Sequence, residues 1–101
     1  MQFHFRADAD KMMITISGSM YIEDAAVFRE RIIDFTEQGY AYYQIDLSEL
    51  EYIDSSGLGV MVALQKKALL AGGKVCISGL QGDIKELFVL SRLTNIFEII
   101  E

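Results

Sequence analysis

Hydrophobic and polar residues alternate at the start of the chain. In QFHFRADA (2–9), Phe3 and Phe5 fall on one side and His4 and Arg6 on the other, the period of a half-buried strand. ADADK reads as a turn. MMITISG (12–18) resumes the alternation, with Met12, Ile14 and Ile16 on one face, and so short a connection predicts a hairpin. The period then changes. EDAAVFRERIIDFTEQG (23–39) sets Ala25, Phe28, Ile32 and Phe35 on one helical stripe, with Glu30, Arg31, Asp34 and Glu37 largely outside it. Glu23 and Asp24 suit the positive end of that helix, and Gly39 suits its stop. YYQIDLS (42–48) predicts a third strand and SELEYID (48–54) a connection, an acidic solvated loop. From Ser55 to Leu70, Leu58, Met61, Val62 and Leu69, with Ala63 and Ala68, suit a buried helix that AGG (71–73) ends. KVCISGL (74–80) predicts a fourth strand. GDIKELFVLSRL (82–93) predicts a third helix, with Ile84, Leu87, Phe88 and Ser91 on one face and Asp83 as its cap. IFEII (96–100) is a short final strand or a partly helical tail.

The order β-β-α-β-α-β-α-(β) implies an α/β sheet of about four to five strands with crossover connections, and the opening hairpin makes that sheet mixed. Length changes the picture little: 101 residues make one domain, expected to span 1–101. With 51% hydrophobic and 24% charged residues, the composition is globular. No apolar run approaches the ~20 residues of a membrane span, and MQFHFRADADKM has no basic region leading into an apolar stretch. No direct membrane insertion is expected. The single cysteine, Cys76, suits a reducing compartment, and the expected location is the cytoplasm. Net charge is −6, which works against nucleic acid and anionic membranes as partners. The one basic cluster, QKK (65–67), reads as a solvated helix face.

Catalytic patterns are missing. The only histidine, His4, lies in the first strand, and DSSGLG is not the G-x-S-x-G of a nucleophile elbow. GLGVMVALQKK lacks both a phosphate-binding lysine at the right spacing and the third glycine of a dinucleotide fingerprint. One histidine and one cysteine do not make a zinc site, and Cys76 reads as a small buried apolar residue. Neither cofactor nor metal is expected. What is left is DSSGLG (54–59), at the junction of the third strand with a helix. Sites in α/β sheets lie beyond the carboxyl ends of strands, and a helix N-terminus offers free N–H groups and partial positive charge. A phosphate on Ser55 would be electrostatically well placed there. Two readings of the small residues stand together. Asp54 or Ser55 caps the helix while Gly57 or Gly59 allows close packing; or the glycines clear a path to an exposed serine.

QIDLSELEYIDSSGLGVMVAL resembles the signature of STAS domains, and specifically of bacterial anti-sigma factor antagonists. GGKVCISGLQGDIKELFVLSRLTNIFEI resembles the family's fourth strand and third helix, so the likeness covers nearly the whole chain. The resemblance implies a non-enzymatic binding protein whose Ser55, with Ser56 as the second candidate, is phosphorylated by a serine kinase that is also the anti-sigma factor. A serine phosphatase would reverse this. The unmodified form would bind the kinase, through Tyr21, Asp54, Ser55, Ser56, Gly57, Leu58 and Gly59, and so free a sigma factor for transcription. The family commonly has a glycine followed three residues later by an aspartate after the second strand; GSMY (18–21) puts Tyr21 there. The alternative is a constitutive docking subunit of a membrane transport or sensory assembly, which needs no serine switch.

Overall fold

In the computed structural model, which describes residues 1–100, the alternating segments are strands. β1 (Gln2–Asp8) and β2 (Lys11–Met20) form the expected antiparallel hairpin, with Phe5 opposite Ile14 and Phe3 opposite Ile16. There follow α1 (Ile22–Glu37), β3 (Tyr42–Ile53), α2 (Ser55–Leu70), β4 (Lys74–Ser78), α3 (Gly82–Leu90), a 3-10 turn (Leu93–Asn95) and β5 (Glu98–Ile100). The sheet is mixed and five-stranded, in the order β1-β2-β3-β4-β5, with β2 to β5 mutually parallel.

Each crossover steps the same way across the sheet. Right-handed connections therefore lay all three helices on one face. The register shows the result. Phe5, Ile14, Ile45, Ile77 and Ile99 form one transverse row towards the helices, and all but Phe5 and Ile99 are fully buried. The neighbouring row on the other face is His4, Thr15, Asp46 and Ser78, polar across the first four strands and ending on the exposed Ile100 of β5. Phe28, Ile32 and Phe35 of α1, Met61 and Leu64 of α2, and Ile84 and Phe88 of α3 close the core. Phe3 stacks on Phe28 at 5.2 Å between centroids, and Phe5 meets Phe35 edge-on at 5.1 Å, so the hairpin is tied to α1 through aromatic pairs. Arg31 lies 4.5 Å over the Phe5 ring.

The strand over 42–48 continues to Ile53, and the expected acidic loop is its second half. Leu47, Leu50 and Ile53 are buried at successive spacings of three, which breaks the alternation in the sequence. Two register shifts in the β2 pairing, at Thr15/Ser17 and Gly18/Ser19, turn these side chains back to the core. α2 has the expected bounds, but its buried side runs through Gly57, Met61, Leu64, Gln65 and Ala68, and Leu69 and Ala63 are exposed. α3 ends at Leu90 and leaves Ser91 exposed; its N-cap is Gln81, and Asp83 sits in the first turn. The 96–100 tail resolves into the short strand β5, preceded by the 3-10 turn. Gly39 takes φ +95° just past α1, the left-handed stop its position suggests. Cys76 is buried, as expected, but it is not simply apolar: its thiol donates to Glu98 Oε2 at 3.0 Å, and the same oxygen binds Lys74 Nζ at 2.8 Å.

Candidate functional site

The parallel strands β2 and β3 end side by side, Met20 opposite Ile53, so the residues just beyond them share one rim. Tyr21 precedes α1 and Asp54 precedes α2, both in extended conformation. Asp54 is the cap of α2. Its Oδ1 accepts from the N–H groups of Ser56 at 3.0 Å and Gly57 at 3.2 Å, satisfying two donors that a helix start leaves free. Ser55 is the first residue of the helix and is exposed, and Ser56 beside it is half-buried. Capping thus falls to Asp54, and the Ser55 hydroxyl has no hydrogen-bond partner among the described residues.

The two glycines are not equivalent. Gly57 is buried: a Cβ on it would lie 2.5 Å from Met20 Sδ and 2.7 Å from Ile53 Cγ1. It lets the first turn of α2 sit on the ends of β2 and β3, so it serves close packing and offers no surface of its own. Gly59 is exposed, and a Cβ there would meet nothing within 4 Å. Leu58 is half-buried and packs against the core. Of the expected contact residues, Tyr21, Asp54, Ser55, Ser56 and Gly59 reach the surface at this rim, while Gly57 faces inward.

Some residues here escape sequence reasoning. Tyr52, at the end of β3, lies 5.3 Å from Tyr21 between ring centroids, and both rings are about half exposed. Ile22 beside them is 62% exposed. The three form an apolar patch at the helix starts. Its signal in the sequence was Tyr52 next to the DSSGLG motif, but the partnership with Tyr21 depends on strand register. Beyond this patch, a groove of about 390 Å³ runs between α1 and α2, lined by Ile22, Ala26 and Arg29 on one side and by Ser55, Ser56 and Gly59 on the other. Arg29 sits 26 residues before Ser55 in sequence, and only the packing of the two helices brings it near.

His4 is distant from any triad arrangement with β3. It lies on β1, with the whole of β2 between it and Asp46, and both border a depression of about 520 Å³ on the helix-free face of the sheet. Among the described residues no helix is long and apolar enough to cross a membrane.

Residues 2–101 match the family model of the STAS domain. The anti-sigma-B factor antagonist of Bacillus subtilis (strain 168) is 31% identical over 94 residues, covering 93% of this chain and 85% of that protein. The crystal structure of the Thermotoga maritima protein TM1081 is 26% identical and superposes with a TM-score of 0.91 over 98% of this chain and 86% of that one. The anti-sigma factor antagonist SpoIIAA in its unphosphorylated form shares the fold, with a TM-score of 0.82 over 99% of this chain and 88% of that one, at 15% identity. An exposed serine on a capped helix start, a rim built from two parallel strand ends, and a match along the whole described chain converge: this chain belongs to the STAS domain family, with anti-sigma factor antagonists among its relatives.

Proposed function

We propose that this protein is an anti-sigma factor antagonist controlled by phosphorylation of Ser55. In the unmodified state it binds an anti-sigma factor that is also a serine kinase, through the rim that carries Tyr21, Asp54, Ser55, Ser56 and Gly59, and so releases a sigma factor. The kinase moves the terminal phosphoryl group of ATP to Ser55 Oγ, leaving ADP and a proton, and the modified rim no longer fits. A serine phosphatase returns the serine by hydrolysis. The domain works in the cytoplasm and catalyses nothing itself. One observation carries this reading: Ser55 is exposed, without a hydrogen-bond partner among the described residues, at the first position of a helix that Asp54 already caps. Its hydroxyl can be modified without removing anything that holds the fold together. A phosphate adds roughly −1.5 to −2 charge and strong acceptors, which a closely packed partner would have to desolvate.

The experiment is to incubate the protein with ATP, magnesium and lysate of its source, then map phosphate by intact mass and peptide sequencing. A single phosphate on Ser55, absent from Ser55→Ala, is the expected result. No phosphate, while a control substrate is modified, would overturn the switch.

A second reading has its own observation. Tyr21 stands where the family commonly has an aspartate, it pairs with the exposed Tyr52, and an aromatic anchor suits constitutive docking. A docking subunit of a membrane transport or sensory assembly would bind its partner equally with Ser55→Ala and Ser55→Asp.

A further inference from the structure

The groove that holds Ser55 also holds a cation without a partner. Arg29 of α1 lines it opposite Ser55, Ser56 and Gly59 of α2. Arg29 is exposed and makes no ion pair or aromatic contact among the described residues, whereas its neighbour Arg31 lies over Phe5 and Phe35. Two features aim Arg29 at the serine. Side chains of an α-helix lean towards its N-terminus, and α1 and α2 both start at the carboxyl ends of adjacent parallel strands. That lean puts the Ser55 end of the groove within the range of the side chain, which also borders the next hollow along α2, with Ala63 and Lys67. Gly59 lies one turn beyond Ser55 on α2, and nothing stands within 4 Å of where its side chain would begin. The path between the two helices is open at Gly59.

We infer that Arg29 is the counter-ion of a phosphoryl group on Ser55, so that modification closes the groove between α1 and α2. A guanidinium presents paired donors matched to phosphate oxygens, which gives the group a fixed direction as well as an attraction. The phosphoryl group lies along the groove, bridging the two helices. Phosphorylation then does two things at once: it adds negative charge at the rim, and it removes an open groove and a free cation from the surface offered to a partner. Arg29 is a positioning residue in this scheme. The Asp54 carboxylate opposes it, and that opposition is the same whatever stands at position 29.

The inference rests on Ser55 as the modified residue, but its test needs no kinase. Phosphoserine is installed at position 55 during translation, in the otherwise unchanged chain and in Arg29→Gln and Arg29→Lys. The second ionisation of the phosphate, near pH 6 for free phosphoserine, is followed by phosphorus NMR. With Arg29 present it should fall about half a unit below its value in Arg29→Gln, with Arg29→Lys between them. The Arg29 Nε–H resonance should move on phosphorylation in the same samples. Equal ionisation with and without Arg29 would overturn the inference, as would a shift seen for phosphoserine at 56 but not at 55. Failure of the kinase reading would show instead as absence of phosphate after incubation with lysate, and the two failures are separate.

Discussion

Gly57 and Gly59 stand two residues apart and answer to opposite constraints. Gly57 lies against Met20 and Ile53, so Gly57→Ala overfills a stiff corner. It should cost about 1–3 kcal/mol, a fall in Tm of about 4–8 °C per kcal/mol. Gly59→Ala meets open space in an ordinary helical turn and should stabilise by about 0.5–1 kcal/mol. Urea denaturation of both variants checks the pair, and a Gly59→Ala protein less stable than wild type would contradict the open groove. Tyr43 supplies a second test at this scale. Its ring is buried and its hydroxyl donates to the Tyr40 carbonyl at 2.9 Å. Burial first, then the neighbouring Tyr40, push its pKa from 10.0 to about 12. Between those values the unfolded chain has released a proton that the native chain still holds. Stability is therefore full below pH 10 and lost as pH rises from 10 towards about 12. Urea midpoints at about pH 9 and 11 should diverge in wild type and diverge less in Tyr43→Phe.

At the scale of elements, Gln65 does what β5 is too short to do. β5 pairs with β4 only from Cys76 onward, which leaves Val75 N–H beyond its reach. Gln65 Oε1 accepts from Val75 N at 3.0 Å while its Nε2 donates to the Ile96 carbonyl at 2.6 Å, tying α2 to β4 and to the turn before β5. Gln65→Met keeps the volume and leaves a buried donor unpaired. It should cost about 1–3 kcal/mol and speed hydrogen exchange at Val75 selectively. Along the chain QKK looks like a uniform solvated basic cluster, yet Gln65 is buried while Lys66 and Lys67 are exposed. Elements whose signal is local were legible: α2 runs from Ser55 to Leu70 as its caps and breakers indicate, and the hairpin follows from alternation alone. Features that depend on a neighbour were not. β3 runs five residues past Ser48 because two bulges of its own, seen in the register with β2, absorb the broken alternation. Arg29 and Tyr52 join the site only through helix packing and strand register. DSSGLG could be found as a motif, but its two glycines could not be told apart until the strand ends stood under one of them.

For the molecule as a whole, a switch at Ser55 must leave the fold intact, since a partner lost by unfolding is no switch. The layout meets that condition. The core lies between one face of the sheet and three helices, while the rim sits at the end of the strands, outside that layer. A negative group at the first position of α2 faces the favourable end of a 16-residue helix. The capping bonds are made by Asp54 and not by Ser55, the serine of the proposed switch. Ser55→Asp should therefore alter stability by no more than about 1 kcal/mol, with Tm within about 8 °C of wild type and an unchanged circular dichroism spectrum. Amide shifts should be confined to the starts of α1 and α2 and the groove between them. Ser55→Ala should be equally folded, because no hydrogen bond of the serine side chain is lost among the described residues. Against that common background, wild type and Ser55→Ala should retain the same kinase from lysate and Ser55→Asp should not. A Ser55→Asp protein that stays folded and still retains that kinase would show that charge at this rim does not control binding. One that loses the kinase together with its fold would show that the rim is not separable from the core.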